Sequence, residues 1–62
     1  MNDYEKRKIE SCLYTIWENY KAMKNEMNTN AFPYKGYLLE KAKPILNDIQ
    51  VIMSLCEKEE EK

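Results

Sequence analysis

Two runs of apolar residues, spaced alternately by three and four positions, constrain this chain more than any other feature of its sequence. The first run is Ile9, Leu13, Ile16, Tyr20, Met23 and Met27, and the second is Leu38, Ala42, Ile45, Ile49, Ile52 and Cys56. Steps of this kind average about 3.5 residues, the repeat of a helix that keeps one stripe against a partner helix. The two runs therefore predict two α-helices that pack along these residues.

The segment between the two runs predicts a turn, because it concentrates residues at which helices readily end: Asn28, Asn30, Pro33 and Gly36. We predict a first helix over about residues 3–27, a turn over about 28–35 and a second helix over about 36–58. Asn2 or Asp3 is expected to cap the first helix. An Asn in the left-handed conformation is expected to close it.

Pro44 lies inside the second predicted helix. A proline there removes one backbone hydrogen bond and crowds the preceding turn, so the helix either kinks at Pro44 or restarts there. The apolar run keeps its phase through this position, which favours a kinked but continuous helix. The charged tail at residues 57–62 is expected to be a solvated helix end.

The chain is short for an independently stable domain. Its 62 residues form one domain, 1–62, and a domain of this size buries only about 60% of its unfolded surface. The second helix carries more apolar residues than one partner helix covers: Leu39, Leu46 and Met53 beside the first stripe, and Tyr37, Pro44, Val51 and Leu55 opposite it. We therefore predict an all-α antiparallel two-helix hairpin that dimerises into a four-helix bundle.

The composition argues against catalysis and metal binding. The chain has no His and only two Cys, so it lacks the common neutral-pH base and the ligand spacing of a zinc or redox motif. It also lacks a calcium loop and a glycine-rich phosphate loop. Its Ser and Cys side chains have no evident activating base. We expect no enzymatic activity, no cofactor and no metal site.

The location of the protein is predicted from two absences in the sequence. The first residues do not resemble an export signal, and no apolar stretch approaches the eighteen residues that a membrane-spanning helix requires. We therefore expect a cytoplasmic protein without a membrane segment. Both thiols are expected to be reduced there.

Aromatic and apolar residues outside the helix-packing stripes are the candidates for binding another protein. Trp and Tyr are common in binding hot spots because they bury a large area with few rotatable bonds. The candidate protein-binding residues are Tyr14, Trp17, Phe32, Tyr34, Tyr37, Val51 and Leu55. The competing interpretation is that these rings only close the end of the bundle. We expect an adaptor or inhibitor that self-associates and binds a larger protein.

Binding of RNA or DNA is the alternative function. It would use the basic residues of the first helix, which are Lys6, Arg7, Lys8, Lys21 and Lys24. The charge balance argues against it, because ten Lys and Arg face eleven Asp and Glu, for a net charge of −1. Proteins that bind nucleic acid usually carry a strong basic excess. We therefore consider a nucleic-acid partner less favoured than a protein partner.

Overall fold

The computed structural model describes residues 1–58, which form two α-helices and a turn and contain no strand. Helix α1 spans Asp3–Thr29 and helix α2 spans Lys35–Glu57. The two helices pack against each other, so the predicted all-α hairpin is confirmed. Most of the charged tail, residues 59–62, lies outside the described residues.

Helix α1 begins at a capping box. The Asn2 side chain accepts a hydrogen bond from the Glu5 backbone N–H at 2.8 Å, and the Glu5 carboxylate accepts one from the Asn2 N–H at 3.2 Å. This exchange satisfies two backbone donors that a helix start leaves without partners. Asn2, rather than Asp3, is therefore the capping residue.

Helix α1 does not end in the predicted left-handed residue. Asn30 caps it in an extended conformation, with φ −120° and ψ 118°, and donates its backbone N–H to the Glu26 carbonyl at 3.1 Å. No residue of the described chain, Gly36 included, has a positive φ. The expectation was wrong because the Asn30 side chain makes other hydrogen bonds that hold the chain extended here.

Helix α2 is continuous through Pro44, as its apolar phase predicted. The proline removes the hydrogen bond to the carbonyl of Glu40, four residues earlier, and Glu40 is an exposed residue. The interpretation in which α2 restarts at Pro44 is therefore excluded.

The two helices form an elongated antiparallel rod with principal extents of 53 × 15 × 12 Å. An ion pair between Lys58 Nζ and Glu5 Oε2, at 3.6 Å, joins the start of α1 to the end of α2. Its Glu5 carboxylate is the same one that takes part in the capping box. The end of the rod remote from the turn is therefore held together by polar contacts.

The line along which the two helices face each other is called the inner seam here. Its residues follow steps of three and four and none of them is exposed. They are Glu5, Ile9, Cys12, Ile16, Asn19, Met23 and Glu26 on α1, and Leu38, Lys41, Ile45, Asp48, Ile52 and Leu55 on α2. The spacing confirms that the helices pack with a repeat of about 3.5 residues.

The predicted packing stripes were only half correct. Ile9, Ile16 and Met23 lie in the inner seam as predicted, and so do Leu38, Ile45 and Ile52. The other members of the two runs, apart from the half-buried Ala42, are exposed: Leu13, Tyr20, Met27, Ile49 and Cys56. Each helix is rotated so that polar residues such as Asn19 and Asp48 take the places that were assigned to apolar ones.

The second apolar stripe predicted for α2 is also corrected. Tyr37, Pro44, Val51 and Leu55 were expected opposite the packing stripe, yet all four are half-buried. Leu55 belongs to the inner seam, and the other three directly precede inner-seam positions. The rotation that exposes Ile49 brings this side of α2 toward α1.

The inner seam makes a thin core. Among residues 1–58, Cys12 alone is buried, at 6% exposure. Five of the thirteen inner-seam residues are polar: Glu5, Asn19, Glu26, Lys41 and Asp48. The Asp48 Oδ2 atom is buried without a hydrogen-bond partner in the described chain, an arrangement that typically costs about 1–3 kcal/mol. The hairpin by itself therefore buries little apolar surface.

Candidate functional site

A second line of residues, called the outer seam here, also runs along both helices with steps of three and four. Each of its residues directly follows an inner-seam residue in the sequence. They are Leu13, Trp17, Tyr20, Lys24 and Met27 on α1, and Leu39, Ala42, Leu46, Ile49, Met53 and Cys56 on α2. All except the half-buried Ala42 are exposed. The outer seam is the largest candidate binding surface of the hairpin.

Both halves of the outer seam lie on the same side of the hairpin. One residue along an α-helix corresponds to a rotation of about 100° about its axis. In each helix the outer seam follows the inner seam by one residue, so it lies about 100° further around the helix axis. Because α1 and α2 run in opposite directions, the same rotation turns both displaced lines toward one side. The result is a single face two helices wide.

This face is more apolar than the one the hairpin buries. Ten of the eleven outer-seam residues are apolar or aromatic, and Lys24 is the exception; the two earlier positions on α1 that also follow inner-seam residues, Lys6 and Glu10, are charged and lie beyond the apolar part of the face. Leu46 is 59% exposed and Ile49 is 41% exposed. Contiguous exposed apolar surface of this kind usually marks an interaction site. The face is therefore suited to packing against another apolar surface.

Four side chains on α1 form a connected surface cluster next to the outer seam. Lys21 Nζ lies 3.8 Å from the centroid of the Trp17 ring and 3.6 Å from Glu18 Oε2. The Glu18 carboxylate accepts a hydrogen bond from Tyr14, and this bond, together with the carboxylate charge, raises the pKa of the Tyr14 phenol. A cation placed over an aromatic ring at an exposed site contributes about 0.5–1 kcal/mol.

The turn is held by the carboxylate of Glu26. Its Oε2 atom accepts hydrogen bonds from the Asn30 side chain and from the Tyr34 backbone N–H, each at 3.0 Å. Asn30 in turn accepts a hydrogen bond from the Phe32 N–H at 3.0 Å. Phe32 is 88% exposed at the tip. The turn is therefore ordered by its backbone, while its central ring contacts solvent.

Gly36 allows the ring of Tyr34 to lie close to the start of α2. A Cβ atom at position 36 would lie 3.0 Å from two carbons of the Tyr34 ring. That distance is tighter than ordinary van der Waals contact, so any larger residue would displace the ring. The glycine, which is unfavourable within helices, is explained by this contact.

The Glu26 contacts lead to a prediction about the turn. Glu26→Ala is expected to lower the free energy of unfolding by about 1 kcal/mol, because the Tyr34 N–H and the Asn30 amide lose their charged acceptor near solvent. Thermal melts followed by circular dichroism measure this loss. Glu40→Ala, which removes an exposed carboxylate from α2, is the matched control. Equal melting temperatures for the two variants would contradict the role of Glu26.

The structure divides the predicted protein-binding residues into two groups. Tyr14, Trp17, Phe32 and Tyr34 are exposed. Tyr37, Val51 and Leu55 are half-buried on the side of α2 that faces α1. The exposed group is not one patch, since Phe32 and Tyr34 lie at the turn and Tyr14 and Trp17 lie near the middle of α1.

The basic residues proposed for nucleic-acid contact are all exposed on α1, but they do not form one stripe. Lys6, Arg7 and Lys8 are consecutive, so they point about 100° apart around the helix. Lys24 lies in the outer seam, and Lys21 lies over the Trp17 ring. Lys6 follows the inner-seam residue Glu5 and so shares the outer-seam side with Lys24, whereas Arg7 and Lys8 turn away from it, so the five cations do not form one stripe.

The two thiols occupy different environments. Cys12 is buried in the inner seam, whereas Cys56 is exposed at the end of the outer seam, and neither forms a disulfide. Cys12 thus serves as a small apolar residue of the core.

The residues that the sequence analysis missed are those of the outer seam on α2. Leu39, Leu46 and Met53 were treated only as an extension of the inner packing stripe. A direct signal was nevertheless present, because six positions from Leu39 to Cys56 follow unbroken steps of three and four without a polar residue. Such a series predicts a second packing line.

Within residues 1–58, neither helix is long and apolar enough to span a membrane, and no group of His, Cys, Asp and Glu side chains is placed to hold a metal ion. Comparison with family models, curated proteins and solved structures finds no match.

Proposed function

We propose that this chain is a non-catalytic helical interaction protein that works as a homodimer, in which the outer seams of two hairpins meet to form a four-helix bundle. The observation that carries the proposal is that the exposed face is more apolar than the buried one. A second copy supplies an apolar face of identical length, width and spacing. A two-fold symmetric contact of this type is the commonest way in which soluble chains associate.

The surface area of the hairpin supports a contact of this size. The hairpin exposes 5290 Å². A compact protein of its mass, 7.5 kDa, exposes about 4,250 Å². The excess of about 1,000 Å² is close to the area of about 800 Å² that each partner buries in an interface of standard size. Dimerisation would therefore bring the chain to the exposure typical of a compact fold.

The turn is the proposed docking end for a larger protein. The Phe32 ring is exposed on a backbone already ordered by Asn30 and Glu26, so little conformational entropy is lost when the ring is bound. No residue between Glu26 and Lys35 carries a charge. The fitting partner is a protein with an uncharged apolar pocket of the size of an aromatic ring, and we propose that the two proteins meet in the cytoplasm.

Protein binding is favoured over nucleic-acid binding by the arrangement of the cations. The basic residues of α1 point in several directions, and Lys21 already contacts Trp17 and Glu18. Tracking a phosphate backbone requires cations along one groove or face. We therefore propose no nucleic-acid function.

The docking end is tested with Phe32→Ala. This variant is expected to keep the dimer mass and the melting temperature, because the ring touches solvent, while it loses a partner. Immobilised wild-type protein, Phe32→Ala and Tyr4→Ala are compared for proteins retained from nuclease-treated native lysate. Tyr4 is another exposed ring, at the end of its own hairpin remote from the turn and on the side of α1 away from the outer seam, and serves as the control.

A lysate protein that is retained by the wild type and by Tyr4→Ala, but not by Phe32→Ala, is then purified. Its affinity for each of the three forms is measured. At least a tenfold weaker Kd for Phe32→Ala is expected for an aromatic anchor in a pocket. Equal affinities for all three forms would contradict the docking role of the turn.

A further inference from the structure

We infer that the second copy lies antiparallel on the first, with the two turns at opposite ends of the bundle and Glu10 of each copy paired with Lys24 of the other. The two-fold axis crosses the face at Trp17 and between Leu46 and Ile49. This inference rests on the proposed function, because it takes the outer seam as the dimer interface. It adds the orientation of the partner and a pair of ionic contacts that fix it.

The outer seam of α2 is symmetric about the point midway between Leu46 and Ile49. Reversing the helix about this point brings Leu46 of one copy opposite Ile49 of the other. The same reversal brings Ala42 opposite Met53 and Leu39 opposite Cys56. In the Ala42–Met53 and Leu39–Cys56 pairs a large side chain then faces a smaller one, as interdigitated packing requires. Two α2 helices can therefore meet antiparallel through an entirely apolar line.

The corresponding line on α1 reverses about Trp17 with an offset of one residue, since Leu13 lies four positions before Trp17 and Tyr20 lies three after it. Continuing the outer-seam spacing one step before Leu13 reaches Glu10, which is exposed. Glu10 and Lys24 lie seven positions before and after Trp17. Reversal about Trp17 therefore brings Glu10 of one copy opposite Lys24 of the other, twice by symmetry. The one cation of the outer seam thereby gains a carboxylate.

The two centres of symmetry lie at the same level of the hairpin. Thr29 ends α1 three positions before Phe32, and Lys35 begins α2 three positions after it. Trp17 lies fifteen positions before Phe32, and the midpoint of Leu46 and Ile49 lies between fifteen and sixteen positions after it. Since both helices rise equally per residue, one axis can pass through both centres.

The opposite orientation, with both turns at the same end, gives a poorer fit. An axis along the rod would lay α1 of one copy on α2 of the other. Lys24 would then lie level with Leu39 and Ala42, and the outer seam of α2 contains no carboxylate. An ammonium group held against apolar side chains without a partner is unfavourable. At Lys24, charge complementarity therefore favours the antiparallel arrangement, in which Lys6, near the end of the rod, lies close to the level of Met27 of the other copy.

Cross-linking at position 17 tests the position of the axis. Trp17→Cys is introduced into the 62-residue chain carrying Cys12→Ala and Cys56→Ser. The protein is treated with a bismaleimide that spans about 8 Å, the lower limit of the usual distance between packed helices. A covalent dimer is expected to form rapidly, since position 17 faces its own copy. Tyr14→Cys, an exposed aromatic position off both seams, is the control and is expected to stay monomeric on a denaturing gel.

Charge exchange tests the orientation without changing Trp17. Lys24→Glu and Glu10→Lys are each expected to weaken the dimer about tenfold in Kd, because both symmetry-related contacts become repulsive. The double variant is expected to return to within about threefold of the wild type, because the ion pairs are restored in reverse. High salt is expected to reduce these differences.

The outcomes separate the orientation from dimerisation itself. Cross-linking at position 17 and recovery in the double variant both support the antiparallel dimer. A wild-type dimer in which the double variant fails to recover, and in which position 17 cross-links no faster than position 14, overturns the orientation and leaves the proposed function intact. A wild-type chain that sediments as a monomer overturns the proposed function as well. If Trp17→Cys itself fails to dimerise under reducing conditions, the charge exchange alone decides.

Discussion

Ile16→Asp is expected to unfold the hairpin. Ile16 lies in the middle of the inner seam, between Cys12 and Asn19, and at the level of Asp48 on α2, whose Oδ2 atom is already buried without a hydrogen-bond partner in the described chain. The cost of a charge in such a position is about 3–5 kcal/mol. That loss is comparable to the whole stability of a domain of this length, about 3–9 kcal/mol. The far-ultraviolet circular dichroism spectrum at 25 °C should therefore lose its paired helical minima.

Ser11→Asp is the control for this prediction. Ser11 is exposed on α1, outside both seams, so the same charge should change the melting temperature only slightly. A helical spectrum and a cooperative melt for Ile16→Asp, similar to those of Ser11→Asp, would mean that the inner seam is wrongly assigned.

Ile49→Asp is expected to dissociate the dimer. Ile49 is part of the outer seam and lies next to the proposed two-fold axis, so each dimer would hold two new carboxylates against apolar side chains. We expect the dimer Kd to rise at least a hundredfold, which corresponds to about 2.7 kcal/mol. Sedimentation equilibrium measures the mass, and melts at several protein concentrations measure the coupled loss of stability.

Gln50→Asp is the matched control for Ile49→Asp. Gln50 is the next residue along α2, exposed and outside both seams. It introduces the same charge at nearly the same level of the rod and should leave the dimer intact. Equal effects of the two substitutions would show that added charge, rather than the outer seam, determines association.

The helices and the turn could be predicted from the sequence because their signals are local. The capping residue Asn2, the uninterrupted stretch before Asn28 and the turn residues after it indicated boundaries within two residues of those observed. The path of the turn could not be predicted. It depends on Glu26, which reaches forward to the Tyr34 N–H, and no propensity rule anticipates a contact between those two positions.

The phase of the packing could not be predicted, because each helix carries two apolar lines one residue apart. The predicted stripe on each helix lay between the two lines, so its residues belong alternately to the inner and the outer seam. Ile45, for example, is in the inner seam and Ile49 in the outer seam. The true inner seam contains Asn19 and Asp48, which an apolar pattern cannot select. Their tolerance there follows from the thin, partly solvated contact that two helices make.

The candidate site was predicted only in part. The exposure of Phe32 and Tyr34 followed from their position in the turn. The partial burial of Val51 and Leu55 did not follow, because it depends on the rotation of α2 about its own axis. That rotation is set by the packing of whole helices rather than by any short segment.

Sedimentation equilibrium of the wild-type 62-residue chain at micromolar concentration tests the central claim most directly. The account predicts a mass of twice 7.5 kDa, with dissociation only on strong dilution, because the outer seam is buried between two copies. A cooperatively folded species of 7.5 kDa across the whole concentration range would contradict it.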